Sequence, residues 1–473
     1  MIPKVIDLFS GCGGLALGFE KAGFEIAGGL EIIPEACDTA TSNLCWRYGK
    51  SQGSHITGDI TQLEPDIFRN SFGREGCIVI GGPPCQAYSL AGRAKLRSLG
   101  SDRINTSDSR GYLYQDFLRF AVGLNARAVV MENVPEAVNY GGKNIPETVC
   151  SALEEHGYRT FWTVLNSADF GVPQIRERVF AIGIKEGEPG SIELPVPTNH
   201  SADHFVTVHQ KMFDSFRKCA HFRTPNAAES GTPSWVTVGD ALSDLPVLYP
   251  DYRQKYRLLP MNLGLPYRSE IQNGYQKSMR GWYGTDTEFV TANCYRKTER
   301  DFPIFARMKQ GDNYLDASEI ADRIFDENEK IYNYPENSEN YLNLKKKTVP
   351  PYARDKFPDK WKKLCEDRPS HTLVAHLSVD TYSHIHPWEP RGISVREAAR
   401  IQSFPDDFYF NCSMGDAFRQ IGNAVPPLLS LGIARQVMNA FVQEGVQYGT
   451  AEGNQGKSCR RRQGRKKAAV TAN

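Results

Sequence analysis

Cys85 lies in Gly81-Gly82-Pro83-Pro84-Cys85-Gln86, directly after the apolar run Cys77-Ile78-Val79-Ile80. Two glycines and two prolines fix a rigid loop just past a strand end, where open α/β sheets bind ligands. A cysteine there is presented to a cleft, and a thiolate held in one direction of attack is a nucleophile. Glu132 opens Glu132-Asn133-Val134 after the apolar residues 128–131. A carboxyl group at that edge can hydrogen-bond or protonate a ring nitrogen if burial raises its pKa. Gln174-Ile175-Arg176-Glu177-Arg178 leads into a further apolar run. In an extended segment Gln174, Arg176 and Arg178 share one face. Two guanidiniums there can hold a phosphate, a base carbonyl or the glutamate above. Taken singly, each feature has a plainer reading: an inert thiol, a surface acid, a solvated charged edge. The loop context reverses that reading for Cys85.

A second group of residues could hold a ligand. Asp7-Leu8-Phe9-Ser10-Gly11-Cys12-Gly13-Gly14 joins a strand-like run to a helix-like one. Gly11, Gly13 and Ala16 fit G-x-G-x-x-G/A, in which glycine lets the backbone approach a ligand and adopt positive φ. Glu31 closes the second strand-like run, where an acid can bind ribose hydroxyls. Asp59, in Gly58-Asp59-Ile60, closes a third. Acids at successive strand ends point to an adenosine-type ligand, without separating NAD from S-adenosylmethionine.

These residues need a sheet to position them. Runs at 5–9, 24–30, 77–80, 128–131 and 178–184 alternate with helix-like spacing, such as Leu15, Gly18, Phe19 and Ala22. That alternation predicts a parallel sheet with helices on both faces. Pro34 is placed to open a helix. From about residue 195 to 368 the alternation is lost. Residues 251–309 hold 11 Lys or Arg, 6 Asp or Glu and 10 aromatics. Compact order returns near 394, with helix-like 395–402 and 425–442. Beyond 449 the chain is basic and poor in apolar residues, the signature of a disordered tail.

Composition bounds the rest. The 473 residues allow two or three structural units. A net charge of +1 removes global charge as an argument for nucleic acid, though not a local basic surface. Eleven cysteines without a Cys-x-x-Cys pair argue against a disulfide framework or zinc site, and no metal is expected. No apolar run reaches the roughly 18 residues of a membrane span, nor is there a signal-peptide pattern, so a cytoplasmic protein is expected.

The ordered motifs resemble the C5-cytosine DNA methyltransferase family of bacterial restriction-modification type. The stretches at 7–14, 82–86, 132–134, 174–178 and 420–425 carry the resemblance, with Arg368-Pro369-Ser370 and Arg396-Glu397-Ala398-Ala399-Arg400-Ile401-Gln402-Ser403-Phe404-Pro405 in family order. It covers about residues 3–185 and 368–440. It implies an α/β fold: a Rossmann-like S-adenosylmethionine-dependent methyltransferase domain with a smaller, irregular target-recognition domain. The implied division is 1–190 and 368–445 for the catalytic domain, 191–367 for target recognition and 446–473 for the basic tail.

Residue by residue, the resemblance makes Cys85 the nucleophile that adds to cytosine C6. Glu132 contacts N3, and Arg176 and Arg178 line the site. Phe9, Gly11, Gly13, Glu31, Asp59, Pro84, Leu113 and Asn423 hold S-adenosylmethionine. Leu113 is placed by Ser109-Arg110-Gly111-Tyr112-Leu113. C6 is buried in stacked duplex, so the base must be extruded at a cost of a few kcal/mol. The implied partner is double-stranded DNA, with a cognate restriction endonuclease acting in the same system without a stable complex. A nucleoid-associated monomer is expected. Two other readings are an RNA (tRNA) cytosine-5 methyltransferase on the same scaffold and an NAD-dependent oxidoreductase. The large middle region argues against the first, and the Pro-Pro-Cys-Gln loop is unexplained by the second. Intact Cys85, Glu132, Arg176 and Arg178 count against a catalytically dead DNA-binding regulator.

Overall fold

The computed structural model describes residues 1–46, 54–84, 112–203, 205–207, 209–284, 286–354 and 360–442. Cys85 and the basic tail lie outside these residues. The strands β1 (Lys4–Leu8), β2 (Ile26–Glu31), β3 (Ser54–Thr57), β4 (Cys77–Gly81), β5 (Ala128–Asn133), β6 (Tyr158–Asn166) and β7 (Glu177–Lys185) form one sheet. Its order is β3-β2-β1-β4-β5-β7-β6. The first five strands pair in parallel. β7 is antiparallel to both β5 and β6.

The all-parallel expectation therefore fails at the last run. β6, which apolar-run reading passes over, precedes β7 by a connection of residues 167–176. A parallel crossover needs roughly a dozen residues or more. The chain instead turns back, and β7 enters between β5 and β6. This reversal puts the start of β7, with Arg178, at the same sheet edge as Glu132.

The helices are α1 (Gly14–Lys21), α2 (Pro34–Ala40), α3 (Leu113–Gly123) and α4 (Ile145–Glu154), then in the middle region α5 (Phe213–Phe216), α6 (Val238–Leu242), α7 (Gly274–Arg280), α8 (Phe302–Arg307), α9 (Tyr314–Tyr332) and α10 (Glu339–Thr348). After it come α11 (Val395–Ile401), α12 (Met414–Asn423) and α13 (Pro427–Asn439). Successive side chains of a strand face opposite sides of a sheet. Val5, Ile78, Ile80 and Val130 accordingly enter one apolar core, shared with α1 and α13. Ile6, Val79, Val129 and Met131 enter another, shared with α3 and α4. Burial on both faces is why these strands read as unbroken apolar runs. α1 and α13 approach so closely that a Cβ on Gly18 would lie 2.4 Å from Ser430 Cβ.

The middle region divides its apolar residues. Val238, Tyr275, Met279 and Trp282 join the core containing α13. Tyr249, Tyr295, Phe302, Phe305 and Trp361 form a separate aromatic core. Half of the aromatics in 251–309 are thus buried structure, and only Phe289 among them is largely exposed. Buried charges tie this region to the flanking half. Arg400 of α11 pairs with Asp244 at 3.0 Å, which also takes Arg280 of α7 at 2.6 Å. Within the returning half Arg391 bridges Glu389 and Glu397 at 2.9 and 2.7 Å, and Glu389 accepts the Leu248 N–H of the middle region at 3.0 Å. Among the described residues no helix is long and apolar enough to cross a membrane.

Candidate active site

The carboxyl edge of the sheet gathers most of the singled-out residues. After β1 the chain makes the glycine turn, with Phe9 at φ 55°, Gly11 at 53° and Gly13 at 88°. Left-handed backbone is ordinary for glycine but strained for phenylalanine, and such strain clusters where a ligand is held. Glu31, at the end of β2, pins the turn. Its Oε2 accepts the Gly11 N–H at 2.8 Å and its Oε1 accepts the Ile33 N–H at 2.9 Å. Burial raises its pKa above the usual carboxylate range. Beneath it, burial and then the charge of Glu31 push the Asp7 carboxyl far higher. Asp7 Oδ2 and Ser10 Oγ are buried without hydrogen-bond partners among the described residues. Sequence reading did not single out Asp7; its only signal was an acid inside an apolar strand.

The segment carrying Asn423 closes over this turn. The Cys12 Sγ–H donates to the Gln420 carbonyl at 3.8 Å, and a Cβ on Gly14 would lie 2.5 Å from the Val425 carbonyl. Asn423 itself is exposed at the end of α12. Asp59 is also exposed. Its Oδ1 accepts the Thr61 N–H at 3.0 Å and the hydroxyl at 2.9 Å, capping a short 3-10 turn. Leu113 begins α3 and is half-buried, as is Pro84.

The second constellation sits where β4 and β5 end and β7 begins. Glu132 Oε1 receives Arg178 Nε at 2.9 Å, with both side chains about 12% exposed. Burial raises the Glu132 pKa, opposed by the nearby positive charge of Arg178 and then Arg176. A Cβ on Gly82 would lie 2.7 Å from Glu132 Oε2, so the glycine gives the loop its close approach to the carboxylate. Asn133 Nδ2 donates to the Pro83 carbonyl at 3.3 Å and ties the same loop to β5. Glu132 therefore lies under the loop that carries Cys85, a residue outside those described.

Arg176 and Arg178 play different parts. Arg176 is buried, donating to the carbonyls of Leu373 at 2.7 Å and Gly422 at 3.0 Å. It binds the β7 approach to the returning half of the chain. Gln174 does the same, accepting the Leu373 N–H at 2.9 Å and donating to the Ile401 carbonyl at 3.3 Å. Of the three residues on the expected face, only Arg178 pairs directly with Glu132. Asn166, unnoticed in the sequence, accepts the Arg176 backbone N–H at 3.2 Å.

The chain matches known proteins along nearly its whole length. The sequence pattern of the family described as C-5 cytosine-specific DNA methylase matches residues 3–439. A protein of Oceanobacillus iheyensis named as a type II methyltransferase is 53% identical over 450 residues, covering 94% of this chain and 97% of the other. The type II methyltransferase M.AgeI of Thalassovita gelatinovora is 30% identical, covering 93% of this chain and 100% of its own. Among solved structures, a prophage-encoded DNA modification methyltransferase from E. coli superposes with a TM-score of 0.60 at 22% identity, covering 93% and 99% of the two chains. That likeness concerns the fold.

Proposed function

Starting from a chain that belongs to the C-5 cytosine-specific DNA methylase family and is thus a DNA (cytosine-5-)-methyltransferase, we propose that Cys85 and Glu132 carry the transfer of a methyl group to a cytosine extruded from a specific duplex sequence. The observation that carries this reading is the Arg178–Glu132 pair held directly against Gly82 of the Cys85 loop. Neither RNA methylation nor NAD-dependent oxidation is favoured by the family match.

The family generally uses S-adenosylmethionine, which supplies an electrophilic methyl group. The residues at the sheet edge fit such a group. The positive-φ turn leaves room for close approach, and Asp7 and Ser10 keep buried polar atoms without a partner among the described residues. Phe9, Gly11, Gly13, Glu31, Asp59, Pro84, Leu113 and Asn423 would hold it.

On cytosine, C5 is a poor nucleophile. Addition of the Cys85 thiolate to C6 makes the ring enamine-like. Glu132, presenting a proton toward N3, draws off the negative charge that addition creates. Its raised pKa keeps that proton available. Arg178 fixes the carboxyl group and Arg176 holds the strand that carries Arg178. After methyl transfer a base takes the C5 proton, the freed electron pair re-forms C5=C6 as the C6–S bond breaks, Cys85 leaves as thiolate and N3 returns its proton to Glu132. Residues 191–367 read the site, with base-edge contacts specifying sequence and phosphate contacts positioning the duplex. The enzyme acts as a monomer beside an endonuclease of the same specificity, in the compartment that holds the DNA.

A 5-fluorocytosine target tests the covalent step, because fluorine cannot leave as a proton does. Such DNA with S-adenosylmethionine should give a denaturant-resistant complex with wild type and none with Cys85→Ser. A stable complex with the serine variant would overturn the assignment.

A further inference from the structure

The turn of residues 374–379 belongs to the returning half of the chain, and none of the roles above uses its side chains. Its backbone is held from three sides. Just before it, Thr372 Oγ1–H donates to the Ile175 carbonyl and the Leu373 N–H to Gln174 Oε1, both at 2.9 Å. The Leu373 carbonyl accepts Arg176 Nη1 at 2.7 Å. α12 lies against the turn through two glycines. A Cβ on Gly422 would lie 2.4 Å from the Val374 carbonyl carbon and 2.5 Å from Ala375 N. One on Gly415 would lie 3.6 Å from the Ser378 carbonyl oxygen. From the middle region, Arg296 Nη2 donates to the carbonyls of Leu377 and Ser378. Leu377 itself is buried in the core shared with α13.

The remaining side chains point outward. Val374 is 38% exposed and Val379 65%, and the His376 imidazole between them is 64% exposed. Two exposed valines are ordinary on any surface. Their place is not. Arg176 holds the start of the turn, and its charge is felt at Glu132. Arg296 holds the end of the turn and belongs to residues 191–367. The turn is thus the joint between the catalytic edge and the region proposed to read the site. A duplex that gives its cytosine to Glu132 while residues 191–367 contact its base edges must pass over this joint.

The geometry points to the turn 374–379 as a seat for the sugar–phosphate backbone of DNA beside the extruded cytosine, with Val374, His376 and Val379 facing it. This rests on the placement of the cytosine at Glu132, and it extends DNA contact beyond residue 367. Contacts to the backbone position a duplex and carry no sequence information directly. The turn therefore adds affinity on every sequence and leaves the choice of site to 191–367. Because the turn is already fixed, little ordering cost is met on binding.

Charge placed at Val379 tests this by its sign. The side chain is exposed, so Val379→Lys and Val379→Glu leave the core untouched. The full chain, with saturating S-adenosylhomocysteine, is titrated by fluorescence anisotropy into a duplex carrying the methylated sequence, a duplex without it, and a duplex RNA. Lysine should tighten both DNA duplexes about fivefold and glutamate should weaken both about fivefold, a spread of about 25-fold. Between about 50 and 200 mM salt, lysine should steepen the salt dependence by about one counterion. Glu186, exposed just past the end of β7 at the opposite edge of the sheet, gives the control. Glu186→Lys makes the same two-charge change and should shift affinity less than about threefold, because salt screens charge over that depth. Equal responses at the two positions, or none at Val379, overturn the seat. A response on one DNA duplex alone makes the turn a reader of sequence, and one on RNA alone assigns it to RNA; both overturn it. Retained S-adenosylhomocysteine binding shows that a variant is folded, and Val379→Lys decides if Val379→Glu is not. Wild type that traps 5-fluorocytosine DNA while ignoring the charge at 379 loses this inference alone. Failure of that trap removes the transfer reading and the seat with it.

Discussion

At the scale of single residues, the proposed chemistry rests on two opposed effects at Glu132. Burial holds its proton on, and Arg178 draws it off. Replacing Arg178 with alanine removes the opposing charge, so the Glu132 pKa should rise further. The alkaline limb of single-turnover methyl transfer, followed between about pH 6 and 9, should then move to higher pH. The rate should also fall by about 10²-fold because the carboxyl group loses its anchor. A lower rate with an unmoved limb would leave Arg178 a purely structural role. A second residue sets stability. His55 of β3 is buried, its Nε2 has no partner among the described residues, and burial lowers its pKa to about 4. The unfolded chain then binds a proton that the folded chain refuses. Its contribution is intact above the unfolded pKa near 6.5 and is lost as pH falls toward 4. Between pH 7 and 5 this costs about 2 kcal/mol. His386 titrates in the same sense, whereas His209 and His221 are raised by their glutamates and oppose it. The clean measurement is a difference: urea unfolding of His55→Gln should lose about 2 kcal/mol less than wild type over that interval.

At the scale of elements, the sequence was most legible where one local rule decided the outcome. The runs at 77–80 and 128–131 became β4 and β5 because burial on both faces demands unbroken apolar residues. Pro34 opens α2 as expected. β6 was missed because Tyr158-Arg159-Thr160 begins it with polar residues, and its apolar character comes only later. The direction of β7 was illegible for a different reason: it depends on the length of a connection whose start was unknown. The glycine turn carried a clear signal for positive φ, but nothing local says that Glu31 holds its Gly11 N–H and that of Ile33 together. Glu31→Ala should release the Gly11 and Ile33 N–H groups together. Affinity for S-adenosylhomocysteine, measured by calorimetry, should fall by about 1–3 kcal/mol while the unfolding transition keeps its denaturant slope. Unchanged affinity would place the cofactor away from this turn.

At the scale of the whole molecule, the motif order implies a catalytic half, an insertion and a returning half, but says nothing of how they are joined. The joints are long-range polar contacts that periodicity cannot reveal: Arg176 on the Leu373 and Gly422 carbonyls, and Arg400 on Asp244. The latter crosses the boundary inferred at residue 367. Asp244, Arg280 and Arg400 share one buried network, and removing one partner of such a set costs about 3–5 kcal/mol. This bears on the experiment that defines target recognition. Exchanging residues 191–367 for those of a relative should transfer the relative's methylated sequence, read by bisulfite sequencing of DNA from the expressing cells. The exchange should succeed in a relative that keeps an acid at the Asp244 position and a cation at the Arg280 position. Where the acid is missing, Arg400 keeps only Asp406 of its two buried carboxylates, and the cation at the Arg280 position loses its own. That chimera should unfold at lower urea, and restoring aspartate there should recover it without altering the site it methylates. A folded, active chimera that keeps its original target would show that recognition lies outside 191–367.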